Sequence, residues 1–119
     1  MIAGGSGVSP FLQIMGEFGG EGDLAPRSSL LYVTKSVDDI WLRPRLEGLK
    51  NQKLKVEFLV EKGHQGLNGQ GSIITRDWLE KCLSPPSPGH LVLFCGPPAM
   101  NKHVKGILED LGHLPGNFF

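Results

Sequence analysis

Apolar residues along this chain alternate between two spacings, and that alternation predicts its elements. Met1-Ile2-Ala3 is a short apolar run that stops at Gly4-Gly5. From Pro10 onward, Phe11, Ile14, Met15 and Phe18 recur at helical spacing, which predicts a helix with one buried stripe. Ser9 suits its N-cap, Pro10 its first position and Gly19-Gly20 its end. Ser28 to Thr34 reads as a buried strand. Asp38-Asp39 marks a turn or helix start, and Leu42, Leu46 and Leu49 give a second helical stripe, with Pro44 tolerable only in its first turn. Leu54, Val56, Phe58 and Val60 then alternate with Lys55 and Glu57, the period of a half-exposed strand near a sheet edge. A glycine-rich stretch, Gly63 to Gly71, precedes Ser72-Ile73-Ile74. Thr75 suits the cap of a short helix that turns Trp78, Leu79, Cys82 and Leu83 inward. After the loop Ser84 to Gly89, His90 to Cys95 is apolar almost throughout, as a central strand requires. Gly96-Pro97-Pro98 breaks it. A last helix carries Met100, Val104, Ile107, Leu108 and Leu111, despite Gly106 within it.

The resulting order is β-α-β-α-β-α-β-α. Strands separated by helices cannot pair as hairpins, so right-handed crossovers and a parallel sheet follow. Ligands of such sheets bind beyond the carboxyl ends of the strands, where the strand order reverses. The glycine-bearing junctions after Ala3 and after Cys95 both fall at strand carboxyl ends, so they are expected to face one crevice. Only Ile2 and Ala3 separate Met1 from the first junction, whereas a parallel strand is usually about 5–6 residues long. The expectation is a central first strand that is truncated, in a chain that is a piece of a longer one.

Composition narrows the class. With 119 residues the chain has room for one domain, and 39% hydrophobic against 20% charged residues is globular rather than disordered. Twelve basic residues balance twelve acidic ones, which argues against a nucleic-acid or anionic-membrane partner. No apolar run approaches the ~20 residues of a membrane helix, so no membrane segment is expected in this chain. Cys82 and Cys95 are the two cysteines, which excludes a disulfide framework and a four-cysteine zinc site. His64, His90, His103 and His113 lack metal-ligand spacing and read as surface or capping residues, so no metal is expected. Cys82, Trp41 and Trp78 read as core packing, and Arg43 and Arg45 as a solvated face.

Two junctions carry candidate chemistry. In Gly4-Gly5-Ser6-Gly7-Val8-Ser9-Pro10, glycines permit a tight turn and close approach of a phosphate or ring, and the helix start that follows offers unpaired N–H donors. The stretch departs from the G-x-G-x-x-G fingerprint, because Pro10 stands where the third glycine would be. In Cys95-Gly96-Pro97-Pro98-Ala99-Met100, a strand-end cysteine is followed by a stiff, low-entropy platform.

Together with Asp39-Ile40-Trp41-Leu42-Arg43-Pro44-Arg45-Leu46-Glu47 and Asn68-Gly69-Gln70-Gly71, these motifs resemble the pyridine-nucleotide-binding domain of ferredoxin-reductase-like flavoenzymes, most closely the NADH–cytochrome b5 reductases. The segment from Asp39 is similar to the D-I-L-L-R-P-E-L-E run of b5 reductases and of the reductase part of plant nitrate reductase. The resemblance implies a doubly wound α/β domain over residues 1–119, with a parallel sheet of about five strands and helices on both faces. It also implies an upstream FAD-binding barrel domain that is absent from these residues. Gly4, Gly5, Ser6, Gly7 and Pro10 match the loop under the nicotinamide and pyrophosphate. Ser6 and Cys95 would be the catalytic pair, Ser6 near the flavin–nicotinamide contact and Cys95 orienting the ring. Gly96, Pro97, Pro98 and Met100 match the pocket around it, and Lys35, Gly69, Gln70 and Gly71 the adenosine half. The implied activity is hydride transfer from NADH to FAD, then electron transfer to cytochrome b5 or a similar haem protein, with the isolated chain inactive and exposed to the cytoplasm. NADPH remains possible, because Leu67 and Asn68 stand where b5 reductases place an acidic residue. Similar loops would serve a reductase module of nitrate reductase, a ferric reductase or NADPH-oxidase-type domain, or a non-catalytic nucleotide-binding module.

Overall fold

The computed structural model describes residues 1–18, 27–49, 54–61 and 74–119. Its strands are β1 (Ile2–Gly4), β2 (Ser28–Thr34), β3 (Leu54–Val60) and β4 (Phe94–Cys95). Its α-helices are α1 (Ser9–Phe18), α2 (Arg43–Gly48), α3 (Arg76–Cys82) and α4 (Pro98–Asp110). All strand pairs are parallel, in the order β3-β2-β1-β4. The chain moves from β1 to β2 and β3 on one side, then crosses to β4 on the other. The reversal of strand order therefore falls between β1 and β4, where a doubly wound sheet opens its crevice.

Alternation along the strands divides the core in two. Ile2, Leu31, Val33 and Leu59 pack on one face with Leu79 of α3 and with Val104, Ile107 and Leu108 of α4. Ala3, Leu30, Tyr32, Leu54 and Val56 pack on the other with Phe11 and Met15 of α1 and Leu46 of α2. Each successive β2 side chain serves the opposite layer, the geometry of a strand buried on both sides. β3 alternates buried and exposed positions at the sheet edge, as its sequence period predicts. Thr75 caps α3 by accepting the Trp78 N–H at 3.2 Å, and Pro44 sits in the first turn of α2. Trp78 and Cys82 pack against the first core layer, and burial pushes the Cys82 thiol up from its ordinary value, as befits a packing residue.

Several expectations need correction. The ladder holds four strands among the described residues, where about five were expected. The place beside β4 is taken by the C-terminal segment, in which Phe118 makes a single parallel bridge with Val92. Of the run His90 to Cys95, only Phe94 and Cys95 form regular strand. Ser9 is not an N-cap: a 3-10 turn over Gly5–Val8 runs directly into α1, so Ser9 is already helical. His113 is not at the surface, being 5% exposed with its ring centroid 5.3 Å from that of His90, and its N–H caps the end of α4 by donating to the Leu108 carbonyl at 3.0 Å. Gly69, Gln70 and Gly71, with Leu67 and Asn68, lie outside the described residues.

Candidate functional site

Both glycine-bearing junctions open onto the carboxyl edge of the sheet, and their contact is made by backbone. A Cβ at Gly7 would collide with the carbonyl oxygen of Cys95, so only glycine lets the first loop lie against the end of β4. Gly5, at φ +56°, makes the turn out of β1 in a conformation that side chains disfavour. Met100, in the first turn of α4, lays its thioether where a Cβ would stand at both Gly4 and Gly96. The Asn101 side-chain amide donates to the Gly96 carbonyl at 3.0 Å and fixes the second junction to the helix that follows it.

Beside this contact is a hollow of about 550 Å³. Gly4, Gly5 and Ser6 line it at the end of β1, Val33, Thr34 and Lys35 at the end of β2, and Glu61 just past β3. Pro97, Ala99 and Met100 close it from the start of α4, with His103 one turn further on and Ile74 before α3. His103 Nε2 lies 2.8 Å from the Ile74 carbonyl, tying the two together. One end of the hollow is thus apolar, formed by Pro97, Ala99 and Met100. The other carries Lys35, Asp39 and Glu61. The N-terminus of the 13-residue α4 adds partial positive charge to the apolar end. A space of this size, apolar with a few convergent polar groups, is that of a small-molecule or cofactor site.

Of the residues singled out in the sequence, Gly4, Gly5, Ser6, Lys35, Pro97 and Met100 line the hollow. Gly7 and Gly96 support its wall from behind. Cys95 is half-buried and packs with the α1-side core, so its backbone rather than its thiol adjoins the first loop. Pro10 and Pro98 are exposed helix-start residues that shape α1 and α4 without lining the space.

The sequence reading missed Asp39, Trp41, Glu61 and His103. Glu61 had a signal, since it follows the last residue of an alternating strand and so stands at a carboxyl end. Its N–H donates to the Thr34 carbonyl at 2.9 Å, extending the β2–β3 ladder to the rim. Trp41 is not the core anchor expected: it is 56% exposed and lines the hollow. The turn before α2 explains this, because Ile40 takes the buried position and Leu42, at φ 54°, reverses the chain immediately after Trp41. Among the described residues, no three His, Cys, Asp or Glu side chains are grouped to hold a metal ion.

Residues 1–106 match the family described as oxidoreductase NAD-binding domain. The chain belongs to that family. As an oxidoreductase NAD-binding domain, it is 35% identical over 128 aligned positions to the NADH-cytochrome b5 reductase-like protein of Arabidopsis thaliana, which covers 95% of this chain and 39% of that protein. It superposes on the cytochrome b5 reductase domain of Ulva prolifera nitrate reductase with a TM-score of 0.83 at 34% identity, covering 99% of this chain and 46% of the other. The CS-b5R domains of human Ncb5or, solved in an NAD+ form, give a TM-score of 0.82 at 25% identity, covering 99% of this chain and 34% of that one. The chain spans about two fifths of the length of the curated relatives it matches. The fold is therefore the ferredoxin-reductase-like NAD-binding fold, as the sequence motifs implied. Among the described residues, no helix is long and apolar enough to cross a membrane.

Proposed function

We propose that this chain holds NADH for a flavin-dependent reductase of the cytochrome b5 reductase type, whose electrons pass on to a haem protein such as cytochrome b5. The observation that carries the reading is the shared hollow: Gly4 to Ser6 and the trio Pro97, Ala99 and Met100 come from opposite ends of the sequence and meet at the strand-order reversal. In this reading the nicotinamide end lies between the Ser6 hydroxyl and the wall of Pro97, Ala99 and Met100, which keeps water from the ring. The first-turn amides of α4 and the Lys35 ammonium offset the charge of the pyrophosphate. Gly7 fixes the first loop against Cys95, so that Cys95 orients the ring by holding that loop in place. Gly69, Gln70 and Gly71 belong to the same reading as contacts to the adenosine half.

The size of the hollow suits one dinucleotide, so the flavin is held outside the described residues, by the part of the parent protein that relatives carry beyond this segment. When bound there, FAD supplies the acceptor for two electrons and their release one at a time. The isolated chain accordingly binds dinucleotide without turning it over. The Asp39 and Glu61 carboxylates on the rim oppose a 2′-phosphate, which favours NADH over NADPH. Cytoplasmic exposure belongs to the same proposal. The likeness to the Ulva domain favours one second reading, a reductase module of nitrate reductase, which would use the same hollow in the same way.

Calorimetric titration of the folded chain with NAD+, ADP-ribose and NADP+ tests the reading. NAD+ and ADP-ribose are expected to bind saturably and NADP+ more weakly. Absence of binding by all three at millimolar concentration, with the chain still folded, refutes it.

A further inference from the structure

One residue of the hollow has no place in that account. Trp41 stands 56% exposed on its rim, although a large apolar side chain gains most by being covered. Its position is not slack. Ile40 before it is buried in the core, its own N–H reaches the Tyr32 hydroxyl at 3.4 Å, and the left-handed Leu42 turns the chain into α2 directly after it. The indole is thus presented from a turn anchored on both sides.

Trp41 shares its end of the hollow with Thr34, Lys35, Asp39 and Glu61, beyond β2 and β3. Pro97 and Met100 stand at the β1–β4 end. From β4 to β3 the sheet spans three strand intervals, about 14 Å. That is room for the two ring systems of a dinucleotide to lie apart, joined by the sugars and pyrophosphate. The Asp39 carboxylate is held by the Ser36 hydroxyl at 2.7 Å and keeps acceptor capacity for a sugar hydroxyl or an exocyclic amine.

Resting on the NADH reading above, we infer that Trp41 is the aromatic platform on which the purine base of the dinucleotide stacks, setting affinity for the adenosine half while leaving the nicotinamide half untouched. An indole offers a rigid face at little entropic cost, and every purine has a π-face to match it.

The test uses the 119-residue chain carrying Trp78→Phe, which leaves Trp41 as the sole indole. AMP, ADP-ribose and nicotinamide mononucleotide are titrated while emission and heat are followed. AMP and ADP-ribose are expected to change Trp41 emission saturably. Trp41→Ala is expected to weaken both by about tenfold, with Trp41→Phe restoring most of the loss and nicotinamide mononucleotide unaffected. Unchanged affinity of Trp41→Ala for AMP and ADP-ribose, with NAD+ still bound, overturns the platform and leaves the NADH reading standing. A fall in affinity equal for all three ligands also overturns it. Failure of the parent chain to bind NAD+ at all removes both.

Discussion

The two ends of the parallel sheet are finished in different ways. At the amino edge, before β4 and after α4, His113 is buried with its ring against His90, and the Asn117 side chain donates to the Ser87 carbonyl at 3.2 Å. The C-terminal segment is stitched to the edge of the sheet through Val92 and Phe94. At the carboxyl edge the same chain leaves Gly5, Ser6, Lys35, Asp39 and Trp41 exposed around a hollow. Closing a surface stabilises it, and in the reading proposed above the edge left open with charges and an aromatic ring is the one that takes the dinucleotide. The contrast separates residues that hold the domain together from residues that, in that reading, hold its ligand.

The sharpest way to break that separation is Gly7→Ala. The added methyl has a backbone carbonyl in its way, that of Cys95, and no flexible side chain that could yield. We expect a loss of about 3 kcal/mol in urea unfolding, together with loss of NAD+ binding, because this contact joins the two junctions. Gly106→Ala makes the same chemical change inside α4, where a Cβ meets nothing within 4 Å. It is expected to stabilise the chain by about 0.5–1 kcal/mol in the same experiment and to leave NAD+ affinity unchanged. Opposite signs for one substitution would confirm that the first glycine is retained for contact and the second is not.

The smallest effect belongs to the amino edge. Burial, before any other cause, lowers the readiness of His90 and His113 to take a proton below the ordinary value of 6.5, and for His113 the neighbouring His90 adds to it. Below that value the unfolded chain therefore binds more protons than the folded one, and stability falls as pH falls. Thermal unfolding between pH 7.5 and 5.5 is expected to show a melting point lower by a few degrees at the acid end. His113→Gln removes one of the two groups and should flatten the dependence. A curve unchanged by that substitution would shift the cause to other groups.

The elements most legible in the sequence were those whose pattern is local. Ser28 to Thr34 is a strand with the bounds its apolar run indicates, and Thr75 caps α3 because a hydroxyl there needs only the N–H three residues on. The bounds of β4 were less legible, since Val92 and Phe94 are completed by Asn117 and Phe119, which no window around His90 contains. Within the site, glycines at strand ends announced themselves, as did the helix starts that follow. Trp41 did not. As a large apolar residue it reads as core packing, and the left-handed backbone at Leu42, a conformation that sequence seldom signals for leucine, turns the chain immediately after it. Cys95 was legible as a strand end, but not the layer toward which its thiol points.

The return of Asn117 to Phe119 onto Val92 and Phe94 also has a consequence for biosynthesis. A nascent chain emerging from the ribosome can assemble β1 to β3 early, yet the outer side of the strand bearing Cys95 stays open until Asn117 to Phe119 have left the exit tunnel. During that interval an unpaired edge is offered to any neighbouring polypeptide. The docking of Asn117 to Phe119 is what shields it.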